Sequence, residues 1–209
     1  LQHAGLSPAL RDDYRRLLDQ IVRGVEFFDA MNEGEWGRGG ATAGQAQRVE
    51  FFVSHEALHL EYESAQTRRV PRRSGWYNLT THLPWVGERT RALDGAHIEY
   101  LRGLANPVGV KVGPAADPAE IIDLCTRLNP CNEPGKVVLI PRLGAARVRE
   151  VLPALIEGVQ RAGRLVLWVC DPMHANALTT ASGMKTRRFA DILDELEGAL
   201  EVHARAGVN

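Results

Sequence analysis

The chain has 209 residues, 44% apolar and 24% charged, with a formal net charge of −1. That composition supports a buried core, excludes a disordered chain, and gives no electrostatic footprint for nucleic acid or an acidic membrane surface. No apolar run reaches the roughly 18–20 residues of a membrane span, so no membrane partner is expected. Three unpatterned cysteines, Cys125, Cys131 and Cys170, argue against a secreted disulfide framework and for a reducing cytoplasm.

In chain order, Ser7-Pro8 forms a helix start. Leu10, Tyr14, Leu17, Leu18, Ile21, Val25 and Phe28 follow at helical spacing, which predicts a helix over 8–31. The glycine-rich stretch 32–44 reads as a loop, Val49–Val53 as a short strand and Glu56–Arg69 as a second helix. From there apolar, β-branched runs begin near Tyr77, Val108, Val137 and Leu165, about 30 residues apart with helical patterns between them. This is the βαβ rhythm of a parallel sheet. Val108–Val112, Val137–Ile140 and Leu165–Val169 are nearly continuous apolar runs, as expected of strands covered on both faces. A last helix carries Phe189, Ile192, Leu193, Leu196 and Leu200. Two segments are expected, an N-terminal helix and loop over 1–48 and βα units over 49–209.

In α/β folds, ligands bind outside the carboxyl ends of the parallel strands. Four consecutive strands deliver polar groups there: Glu88 and Arg89 after the first, Lys111 within the second, Arg142 after the third, and Asp171-Pro172-Met173-His174 after the fourth. A single lysine in a strand can face solvent, and a single arginine after one can pair on the surface. Four in series predict convergence, because a buried cation costs several kcal/mol unless an anion answers it. Lys111 and Arg142 therefore point to a phosphate or carboxylate ligand, probed by an arginine fork and a lysine point charge. From spacing alone His174 is either a hydrogen-bonded polar residue or a metal-binding or catalytic one.

A competing pattern is His55-Glu56-Ala57-Leu58-His59, which matches H-E-x-x-H, the helical zinc pair of metalloproteases. Leu60-Glu61-Tyr62-Glu63 follows it, without the third histidine of the longer signature.

Several longer motifs occur in one order: Ser54-His55-Glu56-Ala57-Leu58, Trp85-Val86-Gly87-Glu88-Arg89-Thr90-Arg91, Leu93-Asp94-Gly95-Ala96-His97 and Asn106-Pro107-Val108-Gly109-Val110-Lys111. They continue in Asn132-Glu133-Pro134-Gly135, Cys170-Asp171-Pro172-Met173-His174 and Lys185-Thr186-Arg187. From Val49 to His203 the chain resembles the plant-type (class II) 3-deoxy-D-arabino-heptulosonate 7-phosphate (DAHP) synthases. The resemblance implies an α/β fold, a (β/α)8 TIM barrel of which this chain covers part. It implies a transferase that condenses phosphoenolpyruvate with erythrose 4-phosphate at the start of the shikimate route to aromatic amino acids. It implies Glu88, Arg89, Lys111 and Arg142 as phosphoenolpyruvate-binding residues, with Lys111 and His174 catalytic. His174 is also implied as a ligand of a divalent metal, manganese or cobalt. Lys185-Thr186-Arg187 could add phosphate contacts.

The family's remaining metal ligands are an early cysteine and a late glutamate and aspartate, which none of the three cysteines and no position before 209 supplies. Ala175 in place of glycine, and Pro141 and Leu143 beside Arg142, suggest a divergent member serving specialised metabolism. Eight βα units need about 250 residues, so the chain is expected to be an internal segment of a longer synthase, which the resemblance implies is homo-oligomeric and the cysteines place in the cytoplasm. A noncatalytic remnant that binds phosphorylated ligands is the alternative from another functional class.

Overall fold

The computed structural model describes residues 52–208 and, nearer the N-terminus, Asp12, Arg16, Asp19, Val22 and Arg23, all five helical. The chain divides into two compact units, Leu1–Phe51 and Phe52–Asn209. The remainder of the helix expected over 8–31 and the loop expected over 32–44 lie outside the described residues.

The second unit is built on a five-stranded sheet. Its members are β1 (Ser54–Glu56), β4 (Leu83–Val86), β5 (Val108–Val112), β6 (Val137–Pro141) and β7 (Leu167–Trp168), every neighbouring pair parallel. Helices α2 (Ala96–Arg102), α3 (Pro118–Leu128) and α4 (Val148–Arg161) join successive strands, and α5 (Phe189–Ala206) follows the last. A short α1 (Leu60–Ala65) follows β1. Two small antiparallel pairs lie outside the sheet: β2 (Thr67–Arg69) with β3 (Trp76–Asn78), and β8 (Ala177–Thr179) with β9 (Lys185–Arg187).

Strand order in the sheet follows chain order without reversal. Right-handed crossovers in such a sheet put every connecting helix on one face, an arrangement compatible with part of a barrel. Val108, Val110 and Val112 of β5 and Val137 and Leu139 of β6 share one buried cluster with Ile98, Leu101, Ile121, Leu124 and Leu155 of the helices. The alternate positions turn to the other face, among them Lys111, opposite Ile140 in register.

Local chemistry accounts for the helices. Asp117 caps α3 by accepting from the Ala119 N–H, and Pro118 occupies the first turn, where no N–H is needed. Ile121, Leu124, Cys125 and Leu128 then form its buried stripe. Gly207, at φ 64°, closes α5 in the left-handed region. None of the described helices is long and apolar enough to cross a membrane.

Four expected boundaries differ, the last sheet strand among them: read as Leu165–Val169 and covered on both faces, it is Leu167–Trp168, with Leu165, Leu167 and Val169 exposed. Phe52 and Val53 are irregular, and the first strand is Ser54–Glu56; residues 49–51 lie outside the described residues. The strand expected from Tyr77 is two segments: Trp76–Asn78 pairs with Thr67–Arg69, and the sheet strand is Leu83–Val86. Pro84 disguised that strand, because proline cannot donate to a ladder. It is tolerated because pairing with β5 begins only at Trp85. The helix expected over Glu56–Arg69 is confined to Leu60–Ala65.

Candidate active site

The carboxyl ends of β4, β5, β6 and β7 gather four of the five expected residues into one continuous set of contacts. Arg142 follows β6, and its backbone N–H donates to Val112 O at 2.8 Å, which fixes it beside the end of β5. Its Nη1 donates to Glu88 Oε2 at 2.7 Å, and its Nη2 lies 3.5 Å from the carbonyl oxygen of His174. Glu88 begins a 3-10 turn, Glu88–Thr90, directly after β4. A Cβ on Gly113 would lie 2.0 Å from Glu88 Oε2, so only glycine lets that carboxylate rest over the end of β5. Arg89, the fifth residue, is exposed, and no ion pair among the described residues involves it.

Lys111 is partly buried, at 13% side-chain exposure, and its Nζ donates to Asp171 Oδ2 at 2.5 Å. The same ammonium stands 4.8 Å from the centre of the Trp85 ring, a cation–π contact. Asp171 is the hub that sequence reading missed. Its carboxylate accepts from Lys111, from the Met173 N–H at 3.1 Å and from His174 Nδ1 at 2.7 Å. Burial pushes the Asp171 carboxyl up, but the hydrogen bond and charge of Lys111, then Met173 and His174, outweigh it and hold it below the ordinary value. A signal existed: an aspartate before proline commonly accepts from the N–H two residues on, as this one does.

His174 is exposed. A carboxylate can only accept, so the Asp171 bond puts the ring proton on Nδ1 and leaves the Nε2 lone pair facing outward. That is the tautomer a metal ligand needs, and His174 fits as one ligand. Among the described residues no group of three or more His, Cys, Asp or Glu side chains could hold a metal ion.

The H-E-x-x-H residues do not form a zinc pair. His55 lies on β1, not on a helix, and its Nε2 donates to Glu63 at 3.0 Å. His59 is the exposed residue at the start of α1. Glu63 is itself buried and also accepts from Asn78 Nδ2 at 2.6 Å, which ties β3 to α1. The Lys185–Arg187 strand is mostly exposed, and Arg187 Nε donates to Met173 O at 2.5 Å, close behind His174.

The cysteines stand apart from this chemistry. Burial pushes Cys125 up to about 11, and burial with the charges of Glu195 and Asp171 pushes Cys170 up to about 12. Cys131 is exposed. Iodoacetamide at about pH 8 is therefore expected to label Cys131 well ahead of the other two, since the thiolate is the nucleophile. Equal labelling of Cys170, read by peptide mass spectrometry, would contradict this.

The model of the Class-II DAHP synthetase family matches residues 2–209. The chain belongs to the class-II DAHP synthetase family. Three curated relatives are similar to the chain over part of their own length. Phospho-2-dehydro-3-deoxyheptonate aldolase of Streptomyces coelicolor is 44% identical over 196 residues, covering 94% of this chain and 42% of the relative. Probable chloroplastic phospho-2-dehydro-3-deoxyheptonate aldolase of Catharanthus roseus is 43% identical over 198 residues, 94% of this chain and 38% of the relative. The Neurospora crassa phospho-2-dehydro-3-deoxyheptonate aldolase is 40% identical over 212 residues, 94% and 43%. The chain spans about two-fifths of the length of the curated relatives it matches.

Proposed function

We propose that this chain carries the phosphoenolpyruvate side of a DAHP synthase active site, within an enzyme that condenses phosphoenolpyruvate with erythrose 4-phosphate. The observation that carries the reading is the linked set Glu88–Arg142–His174–Asp171–Lys111 at the carboxyl ends of consecutive parallel strands. In the reaction the enol carbon of phosphoenolpyruvate bonds to the aldehyde carbon of erythrose 4-phosphate. Water adds at C2 of phosphoenolpyruvate, the bond from C2 to the phosphate oxygen breaks, and inorganic phosphate leaves as the aldehyde oxygen takes up a proton.

Each residue has a distinct task. Arg142 offers its planar fork to the phosphate or carboxylate, and exposed Arg89 adds a second cation at the same end. Glu88 cannot donate to an anion while ionised, so it serves by aiming Arg142. That pair is partly exposed, at 27% and 31%, so an incoming anion can displace the carboxylate without burying it unpaired. Lys111 is pre-oriented by Asp171 and Trp85, and it stabilises negative charge as it develops, with no reorganisation at the moment of reaction.

His174 would bind a divalent metal, manganese or cobalt, through Nε2, with the other ligands outside the described residues. When bound, the metal polarises the aldehyde carbonyl as a Lewis acid. Asp171 holds the ring in the ligand tautomer.

The reading also makes 49–209 part of a (β/α)8 barrel preceded by a helical segment. Leu167 and Val169 at the β7 edge are 49% and 43% exposed, and Leu200 on α5 is 63% exposed, as positions awaiting further strands and helices would be. Free cysteines fit a reducing compartment such as the cytoplasm.

The test is synthase turnover and metal content of the intact enzyme and two variants. His174→Ala should abolish metal stimulation of condensation and lower bound metal, while His59→Ala should leave both nearly intact. Metal loss in His59→Ala alone would sink the assignment.

A further inference from the structure

We infer that Glu195, on α5, is a positioning residue that locks the loops bearing Arg142 and His174 in one register. The inference rests on the proposed phosphoenolpyruvate role of Arg142. Glu195 is fully buried, at 0% exposure, and no cation pairs with it among the described residues. A buried carboxylate without a counter-ion is costly unless hydrogen bonds replace water at its oxygens. Here they do. Oε1 accepts from the Leu143 N–H at 2.7 Å and the Gly144 N–H at 2.9 Å, the two amides directly after Arg142. Oε2 accepts from Asn176 Nδ2 at 2.7 Å, two residues after His174.

Asn176 closes the loop. Its Oδ1 accepts from the Ala145 N–H at 3.0 Å, while its Nδ2 also donates to Pro172 O at 2.8 Å. The Glu195–Asn176 pair thereby stitches the segment after β6 to the segment after β7. Between those two seams lies the 3.5 Å approach of the Arg142 guanidinium to the His174 carbonyl. Gly144 adopts φ 84°, so its N–H turns toward α5 beside that of Leu143 and the two amides share one oxygen. An apolar side chain at 195 would fill the space but orphan those amides. The carboxylate matches them, and the geometry it sets is that of Arg142.

The test uses near-isosteric replacements in the intact enzyme. Glu195→Gln keeps an acceptor for the two amides but sets a second NH2 against Asn176 Nδ2, breaking one seam. The KM for phosphoenolpyruvate is expected to rise on the order of tenfold to a hundredfold, since small misplacements of an anion clamp carry costs of that size. The KM for erythrose 4-phosphate should move much less. Adding Asn176→Asp swaps donor and acceptor, and it should recover part of the phosphoenolpyruvate KM.

Hydrogen exchange read by mass spectrometry supplies a signal that does not depend on activity. Amides of both 142–145 and 172–176 should exchange faster in Glu195→Gln, while those of β5 and α3 stay protected. An unchanged phosphoenolpyruvate KM in a fully folded Glu195→Gln enzyme would overturn the inference, as would faster exchange confined to one of the two loops. If wild-type enzyme turns over neither substrate, the synthase reading itself fails, and the exchange result still decides whether Glu195 couples the loops.

Discussion

Replacing Arg142 by alanine in the intact enzyme is expected to lower kcat/KM for phosphoenolpyruvate by about 2–4 kcal/mol, roughly thirtyfold to a thousandfold. Two effects add. On the proposed reading the substrate anion loses its bidentate partner, and Glu88 loses the cation that answers its charge at the same site. Arg142→Lys should recover only part of the loss. A lysine keeps the charge but not the planar fork, and its single ammonium cannot serve Glu88 and the substrate in the geometry that Nη1 and Nη2 share. Steady-state kinetics with phosphoenolpyruvate varied at saturating aldehyde would measure both variants. Unchanged kinetics in the two would remove Arg142 from the site.

The second large effect is on stability. Lys111→Met should destabilise the fold by about 3–5 kcal/mol, because it leaves a buried carboxylate without its cation. Lys111 and Asp171 are only 13% and 9% exposed, so water cannot fully replace the lost partner. Adding Asp171→Asn removes the stranded charge. The amide oxygen of asparagine can still accept from Met173 and His174, so more than half of the lost stability should return. Activity should not return, since no ammonium remains at the reacting end of β5. Urea unfolding midpoints and condensation rates for the single and double variants would measure the two outcomes separately. A double variant that regains turnover would make Lys111 a structural residue only.

Much of this architecture was legible before any coordinates. A period of about thirty residues is a local property, set by the length of one strand, one helix and two connections. It yielded the parallel sheet, its strands at Val108, Val137 and near Leu165, and the last helix. Strand ends follow from the same rhythm: in a parallel sheet every carboxyl terminus faces one way, so Glu88, Lys111, Arg142 and His174 had to arrive at the same end. Motif order then carried the family, because several short patterns in sequence are far more specific than H-E-x-x-H alone. That pattern failed for a physical reason. It straddles the end of β1 and the start of α1, so its two histidines never share a helical face.

What the tertiary structure alone decided is pairing. Lys111 meets Asp171 across 60 positions of chain, and Arg142 meets Glu88 across 54. Glu195 reaches Leu143 across 52. No local pattern encodes such partners, because they depend on the stagger of neighbouring strands, on which face each side chain takes, and on gaps that only glycine leaves open. The sheet strand at Leu83–Val86 was hidden in the same way: Pro84 reads as a break until its neighbours show that β5 asks nothing of it. The strand rhythm therefore set which charges gather at one end of the sheet. The packing decided which carboxylate holds each cation, and with it which charges stay fixed and which remain free to meet a substrate.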